Sequence, residues 1–317
     1  MRFALMTEPQ QGLSYDEVLA LARTAEEAGF ESFFRSDHYA SFPGEAGLPT
    51  TDAWATLAGL ARETTRITLG TLVSPVTFRL PGNLAKVAAT VAEMAGGRLE
   101  IGLGAGWNED EHHQLGLPFP SIGERFAMLE EELAIIHGLW TEPDGWSYAG
   151  QHWQVSDSRF APKPAPAGRR HPHPIVCVHS RSRMARLVAR YADEFNLTSA
   201  SPERAVEAYR RVRQACAAEG RDPDELTYSA MTGVLVGRGE TEVEQRTKDL
   251  LRIVGAEGDD ATAWLEDRTL RWVYGTPDQA RARVAEFEAA GVQRIMLQTF
   301  QPRDLDMVRL MAEVLIR

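Results

Sequence analysis

Cysteine is nearly absent, with Cys177 and Cys216 the only two in 317 residues. Two thiols exclude a disulfide framework and a cysteine zinc cluster, and they set the expectation of a cytoplasmic protein. Basic charge is in deficit, 34 Lys and Arg against 45 Asp and Glu, for a net charge of −11. That sign is wrong for a broad face that neutralises nucleic-acid phosphates or anionic lipid, so neither nucleic acid nor membrane is expected as a partner. Long apolar runs are missing too. Nowhere do about 18 apolar residues stand together, and the first run, Phe3 to Met6, is too short for a signal peptide. Compositional bias is also lacking: 44% hydrophobic and 25% charged residues exclude a collagenous, coiled-coil or disordered chain and predict a sizeable core.

What is present is alternation. Short runs rich in β-branched or aromatic residues take turns with longer amphipathic stretches, the pattern of βα units around a parallel sheet. Eight strands are expected: Phe3 to Met6, Ser32 to Arg35, Ile67 to Val73, Leu99 to Leu103, Ile175 to Val178, Phe195 to Leu197, Thr227 to Val236 and Arg294 to Gln298. The helices between them are punctuated. Ser14 with Glu17 forms a capping box, Gly29 ends the first helix, Thr51 or Asp52 opens the second, and Pro81 opens the third, which closes before Gly96-Gly97. The count predicts a single (β/α)8 TIM barrel over 1–317, a length such barrels reach with insertions beyond about 250 residues. One long insertion, about 104–174, separates strands four and five, and a smaller one, about 255–271, precedes the last helix and strand. Within the first, Phe126, Leu129, Leu133, Ile136 and Trp140 recur at helical spacing, and Trp146 to Val155 reads as a hairpin turning at Ala149-Gly150. Pro162 to Pro174 reads as an extended return.

A barrel places its active site at the C-terminal ends of its strands, which shortens the list of candidates. His38, after strand two, is the foremost. An imidazole donates, accepts or shuttles a proton near neutral pH, and the bland alternative is a surface-loop histidine. His112-His113 invites a metal reading, but adjacent helical residues point apart and no histidine stands at i+4, so no metal site is expected. Gly104-Ala105-Gly106 either lets backbone amides approach a ring or anion closely, or forms a tight turn by which the insertion leaves the barrel. Asn108 and Glu109 open a short helix, where Glu109 is either an acid/base group or a cap. Arg181, Arg183, Arg186 and Arg190, with Ser180 and Ser182, concentrate donors where barrels commonly hold phosphate, or else decorate a solvated helix face. Trp54, Trp140 and Trp272 read as packing residues, whereas Trp107 lies at a strand end where it can wall a ring.

These segments together resemble the bacterial luciferase-like superfamily, in its branch of coenzyme F420-dependent oxidoreductases. The likeness is carried by Ser36-Asp37-His38, by Leu69 to Pro75 with Arg79-Leu80-Pro81, and above all by Gly96 to Trp107. Glu124-Arg125-Phe126, Leu129-Glu130-Glu131, Pro162-Lys163-Pro164, Gly275 to Asp278 and Ala290-Gly291-Val292 continue it. The resemblance implies a TIM barrel with F420 across its C-terminal mouth, the ring near strands two to four and the phosphate near the loop after strand five. It implies His38 as the proton donor or acceptor that accompanies hydride transfer, and Glu109 as the second acid/base group. It implies a bulged third strand with a non-proline cis peptide, expected at Val73-Ser74, and Thr71 at the ring edge. Asp37, Gly104, Ala105, Gly106, Trp107 and Asn108 complete the expected ring site, with His179, Ser180, Arg181, Ser182 and Arg183 at the phosphate. One departure stands out: relatives commonly carry two glycines after strand five, where this chain reads Val178-His179-Ser180. The resemblance also implies a small-molecule substrate and a homodimer. Two other readings remain: an FMN-dependent monooxygenase using oxygen and reduced flavin from a separate reductase, and a non-catalytic flavin-binding barrel.

Overall fold

The computed structural model describes residues 1–164, 173–177, 182–256 and 260–316, with the backbone alone at 173, 177, 182, 183, 260, 262 and 263. Strand β1 (Arg2–Thr7) leads into α1 (Tyr15–Ala28), which has the expected Ser14/Glu17 capping box and ends on Gly29 at φ 106°. There follow β2 (Ser32–Arg35), α2 (Ala53–Glu63) capped by the Asp52 carboxylate, β3 (Thr68–Pro75), α3 (Pro81–Met94) and β4 (Leu99–Gly104). The long insertion holds α4 (Glu109–Leu115), α5 (Ile122–Thr141) and the antiparallel pair β5 (Trp146–Ala149) and β6 (Gln154–Ser158). The barrel resumes with β7 (His173–Cys177), α6 (Ser182–Tyr191), β8 (Glu194–Leu197), α7 (Pro202–Ala218), a short 3-10 turn at Pro223–Glu225, and β9 (Thr227–Val236). Helices α8 (Glu240–Ile253) and α9 (Asp260–Thr269), strand β10 (Val273–Gly275), α10 (Pro277–Ala289), β11 (Arg294–Thr299) and α11 (Leu305–Leu315) complete it.

Parallel pairing runs β11-β1-β2-β3-β4-β7-β8-β9, and β9 returns to β11, which closes an eight-stranded barrel. The short β10, just after the second insertion, adds to the far end of β9. Strands β2 and β9 and helix α3 have the bounds that their residues predict. The hairpin differs. Its strands are joined by Gly150 to Trp153, not by a turn at Ala149-Gly150, because the Glu131 carboxylate accepts the N–H groups of Gln151, His152 and Trp153. Of the proline-rich return, residues 165–172 lie outside the described residues.

Alternate strands fill the barrel in layers. At its N-terminal end Arg294 donates to Glu100 at 2.7 Å, to Glu194 at 3.0 Å and to the Ser32 hydroxyl, so strands β2, β4, β8 and β11 share one charged layer. Burial alone would lower the Arg294 pKa, but the charges of Glu100 and Glu194 more than offset that and raise it. Above this layer Ala4, Met6, Phe34, Leu72, Ile175 and Met296 form an apolar plug, so the barrel has a packed interior. The larger core lies between the strands and the surrounding helices, and Trp54, Trp140 and Trp272 are buried in it.

Within the barrel, the pairing of β3 with β4 is irregular. Thr71 pairs with Ile101 and Ser74 with Leu103, so three steps on β3 match two on β4. The non-proline cis peptide lies in this bulge at Leu72-Val73, one bond before the expected Val73-Ser74, because the register breaks directly after Thr71. The bulge presses the Thr71 carbonyl toward β4, and a Cβ at Gly102 would stand 2.2 Å from that oxygen. Glycine is the residue that fits there.

Candidate active site at the barrel mouth

The mouth is organised by charge that is buried and paired. Asp37, just beyond β2, is enclosed; its carboxylate accepts from the Ser74 hydroxyl at 2.7 Å and from Arg79 at 2.5 and 3.2 Å. The Ser74 oxygen in turn accepts the Trp54 indole N–H at 3.0 Å. Arg79 also reaches Asp52 at 2.6 Å and the Tyr39 hydroxyl at 2.8 Å. Burial lowers the Arg79 pKa, while Asp37, Tyr39 and Asp52 outweigh it and raise the value. Burial likewise raises the Tyr39 phenol, with Arg79 opposing. Asp37 and Ser74, expected to touch the cofactor, therefore use their polar atoms to hold the ends of β2, β3 and α2 together. Thr71 is similar: its buried hydroxyl donates to the Gly102 carbonyl at 3.1 Å, not to the open mouth. Val73, half-buried in the bulge, packs against the apolar plug.

His38 does face the mouth. Its Nδ1 lies 2.8 Å from Glu111 Oε1, and Glu111 Oε2 accepts the Tyr39 backbone N–H at 2.9 Å. The Phe42 ring meets the imidazole edge-on at 4.5 Å and Trp107 does so at 5.8 Å. Among the described residues no protein group bonds to Nε2, and 16% of the side chain is exposed. Glu109 is placed elsewhere. Its side chain is 61% exposed and stands 3.6 Å from His113 on the outer face of α4. The carboxylate that the fold brings to His38 is Glu111, two residues on, because helix α4 turns its third residue inward. His112 is buried beside it, with Nδ1 donating to the Asn108 carbonyl at 2.7 Å and Nε2 2.6 Å from the Thr77 hydroxyl. Asn108 precedes α4 and makes no side-chain cap.

The segment after β4 gives the mouth a smooth wall. Gly104 ends the strand, Ala105 is nearly buried, and Gly106 takes φ 74°, a left-handed conformation that favours glycine. Trp107 then projects with 66% of its surface exposed. Opposite, Glu8 at the end of β1 is buried between the side-chain amides of Gln10, at 2.7 Å, and Gln298. Sequence reasoning passed over Glu111, Arg79 and Asp52 as individual site residues. His179, Ser180 and Arg181 lie outside the described residues, and Ser182 and Arg183 open α6 without described side chains. Further along α6, Arg190 is paired with Glu219 at 2.8 Å, which fits the helix-face reading for that residue.

A closed eight-stranded parallel barrel with a bulged third strand, a glycine-lined wall and a histidine just beyond its second strand defines a TIM-barrel protein. The family model for luciferase-like monooxygenases matches residues 1–294, and the chain belongs to that family. Among curated relatives, an F420-dependent glucose-6-phosphate dehydrogenase of Nakamurella multipartita is 35% identical over 201 residues. That match takes in 63% of this chain and 56% of the relative's length. An F420-dependent secondary alcohol dehydrogenase, solved with an F420-acetone adduct, superposes with a TM-score of 0.83 at 18% identity, over 99% of this chain and 98% of the other. The monooxygenase RslO1 from Streptomyces bottropensis gives 0.83 at 24% identity, over 100% and 99%. At these identities the two structures speak for the fold alone.

Proposed function

We propose that the protein is an F420-dependent oxidoreductase that moves a hydride between the deazaflavin and a small organic substrate, with His38 as the proton donor and acceptor. The observation that carries this reading is His38, which is bonded through Nδ1 to Glu111, has no bond to Nε2 among the described residues, and stands beside the exposed Trp107 indole. The identity to F420-dependent dehydrogenases over 63% of the chain supports the cofactor. The residues present fit a planar ring: Gly104 to Gly106 offer backbone without bulk, and Trp107 offers an exposed aromatic face. F420, when bound, supplies a carbon that gives or takes hydride. The chain's own part is to orient: Trp107 and the bulge wall the ring, the Asp37–Arg79–Asp52 network fixes the loop that carries His38, and Nε2 takes or returns the substrate proton. The smaller homodimer and cytoplasmic expectations travel with this reading.

Titrating the purified protein with F420 and, separately, with FMN, read by ring fluorescence, tests the assignment. Tight F420 binding with weak FMN binding is expected, and the reverse would sink it in favour of an FMN-dependent monooxygenase. His38→Ala is expected to keep F420 affinity while slowing F420 reduction by secondary alcohols or glucose 6-phosphate by about 10²-fold. An unchanged single-turnover rate removes His38 from the mechanism.

A further inference from the structure

We propose that Glu111 is the positioning residue of this site: it fixes the His38 imidazole as the Nδ1–H tautomer and leaves Nε2, as the proton acceptor, turned to the barrel mouth. The proposal rests on the reading of His38 as proton partner. Its physical basis is separate.

An ionised carboxylate accepts hydrogen bonds and donates none, so the 2.8 Å contact to Glu111 Oε1 requires the proton on Nδ1. A neutral imidazole has one N–H, and the other nitrogen is then a lone-pair acceptor. The carboxylate is itself held. Its second oxygen takes the Tyr39 N–H at 2.9 Å, and the side chain is 2% exposed, so water does not compete for it. The ring is held as well, with Phe42 edge-on at 4.5 Å and Trp107 at 5.8 Å. Orientation and tautomer are thus fixed from three directions before any substrate arrives. His112, the next residue on α4, shows that the helix is placed by more than Glu111: its ring bridges Asn108 and Thr77 and anchors the same turn to the end of β3. Glu111 is therefore free to serve His38 while His112 secures the helix.

A simple latch, in which Glu111 only ties α4 to the Tyr39 backbone, would leave the His38 tautomer indifferent to Glu111→Gln. The glutamine carbonyl still accepts the Tyr39 N–H, but its NH2 then faces Nδ1 and demands a lone pair there. The test is a long-range proton–nitrogen correlation spectrum of the full chain labelled with 15N-histidine. The chain has 8 histidines, and His38→Gln assigns the one of interest. The expected wild-type signal is Nδ1–H with an unprotonated Nε2; His112, which donates from Nδ1 to a carbonyl, is the internal control. In Glu111→Gln the ratio of Nδ1–H to Nε2–H should fall by about 10- to 100-fold, the strength of one hydrogen bond to a charged group expressed as a population. A wild-type His38 carrying its proton on Nε2, or an unchanged ratio in Glu111→Gln, overturns the proposal. The wild-type spectrum decides even if the variant fails to fold. F420 titration of the same samples separates the two readings: a wild-type protein with the Nδ1–H tautomer but without F420 affinity keeps the positioning role and loses the proposed function.

Discussion

Replacing Asp37 by Asn asks whether the mouth rests on a buried charge pair. The Asp37 carboxylate is enclosed and receives two bonds from Arg79, at 2.5 and 3.2 Å, and one from Ser74 at 2.7 Å. Arg79 is itself only 14% exposed, so the pair is little screened by water. Removing one member of a buried pair typically costs about 3–5 kcal/mol, because the other charge stays buried. Asp52 remains 2.6 Å from Arg79 and is partly exposed, which points to the lower end, about 3 kcal/mol. With an unfolding entropy of about 2.1 cal/mol/K per residue, that loss lowers the melting temperature of a chain this long by about 5 °C. Thermal and denaturant unfolding of Asp37→Asn, Arg79→Met and the double variant give both the cost and the coupling. The single variants are expected to be non-additive by at least about 1 kcal/mol. If Asp37→Asn lies within about 0.5 kcal/mol of the parent and the cycle is additive, the buried pair is not what holds the His38 loop.

Two further outcomes follow from side chains with opposite exposures. Glu132 on α5 is fully buried with neither oxygen hydrogen-bonded among the described residues, and burial, weakly opposed by Arg79, pushes its carboxyl up from 4.5 to about 8. The native chain then keeps a proton that the unfolded chain loses, so stability falls as pH rises from about 4.5 toward 8. Glu132→Gln should remove that fall, leaving the variant more stable than the parent by about 3 kcal/mol at pH 7 and equal to it near pH 4, as read by denaturant midpoints. A parallel pH dependence in both proteins would refute it. Trp107, by contrast, is 66% exposed, so Trp107→Ala should leave stability within about 0.5 kcal/mol while weakening F420 binding about 10-fold. Unchanged affinity in a fluorescence titration would take the indole out of the ring site.

Elements defined by local chemistry were legible in the residues themselves. Pro81 and Gly96-Gly97 bracket α3, and in β2 the paired phenylalanines Phe33 and Phe34 stand between polar neighbours in a run too short for a helix. What the sequence hides is set by distant partners. The β3 bulge shifts the cis bond by one residue, and nothing in Thr71 to Ser74 records that β4 advances two residues where β3 advances three. The hairpin turn is lengthened by Glu131, which stands on a helix twenty residues upstream. In Asn108 to Glu111 three acidic residues follow one another, and consecutive residues on a helix differ in direction by about 100°. Which of them faces His38 depends on how α4 docks, and that is decided by His112 reaching Thr77. Glu109 and Glu111 are therefore indistinguishable by composition and opposite in placement.

The same contacts show how the long insertion is joined to the site. Its first helix is bound to the barrel by two polar side chains, Glu111 to the end of β2 and His112 to the end of β3. Beyond α4, Glu131 clamps the hairpin turn and Lys163 donates to the Leu139 and Glu142 carbonyls at the end of α5, while α3 of the barrel holds the insertion through Lys86 to Ala161 and through the Ala85 carbonyl to Trp140. A change in the hairpin meets α5 first, through Glu131 and through Trp146 packed against Gly138. A change in α4 meets His38 directly, through a carboxylate with no spare oxygen. Among the described residues the polar link from the insertion to His38 therefore runs through α4, the first of its helices.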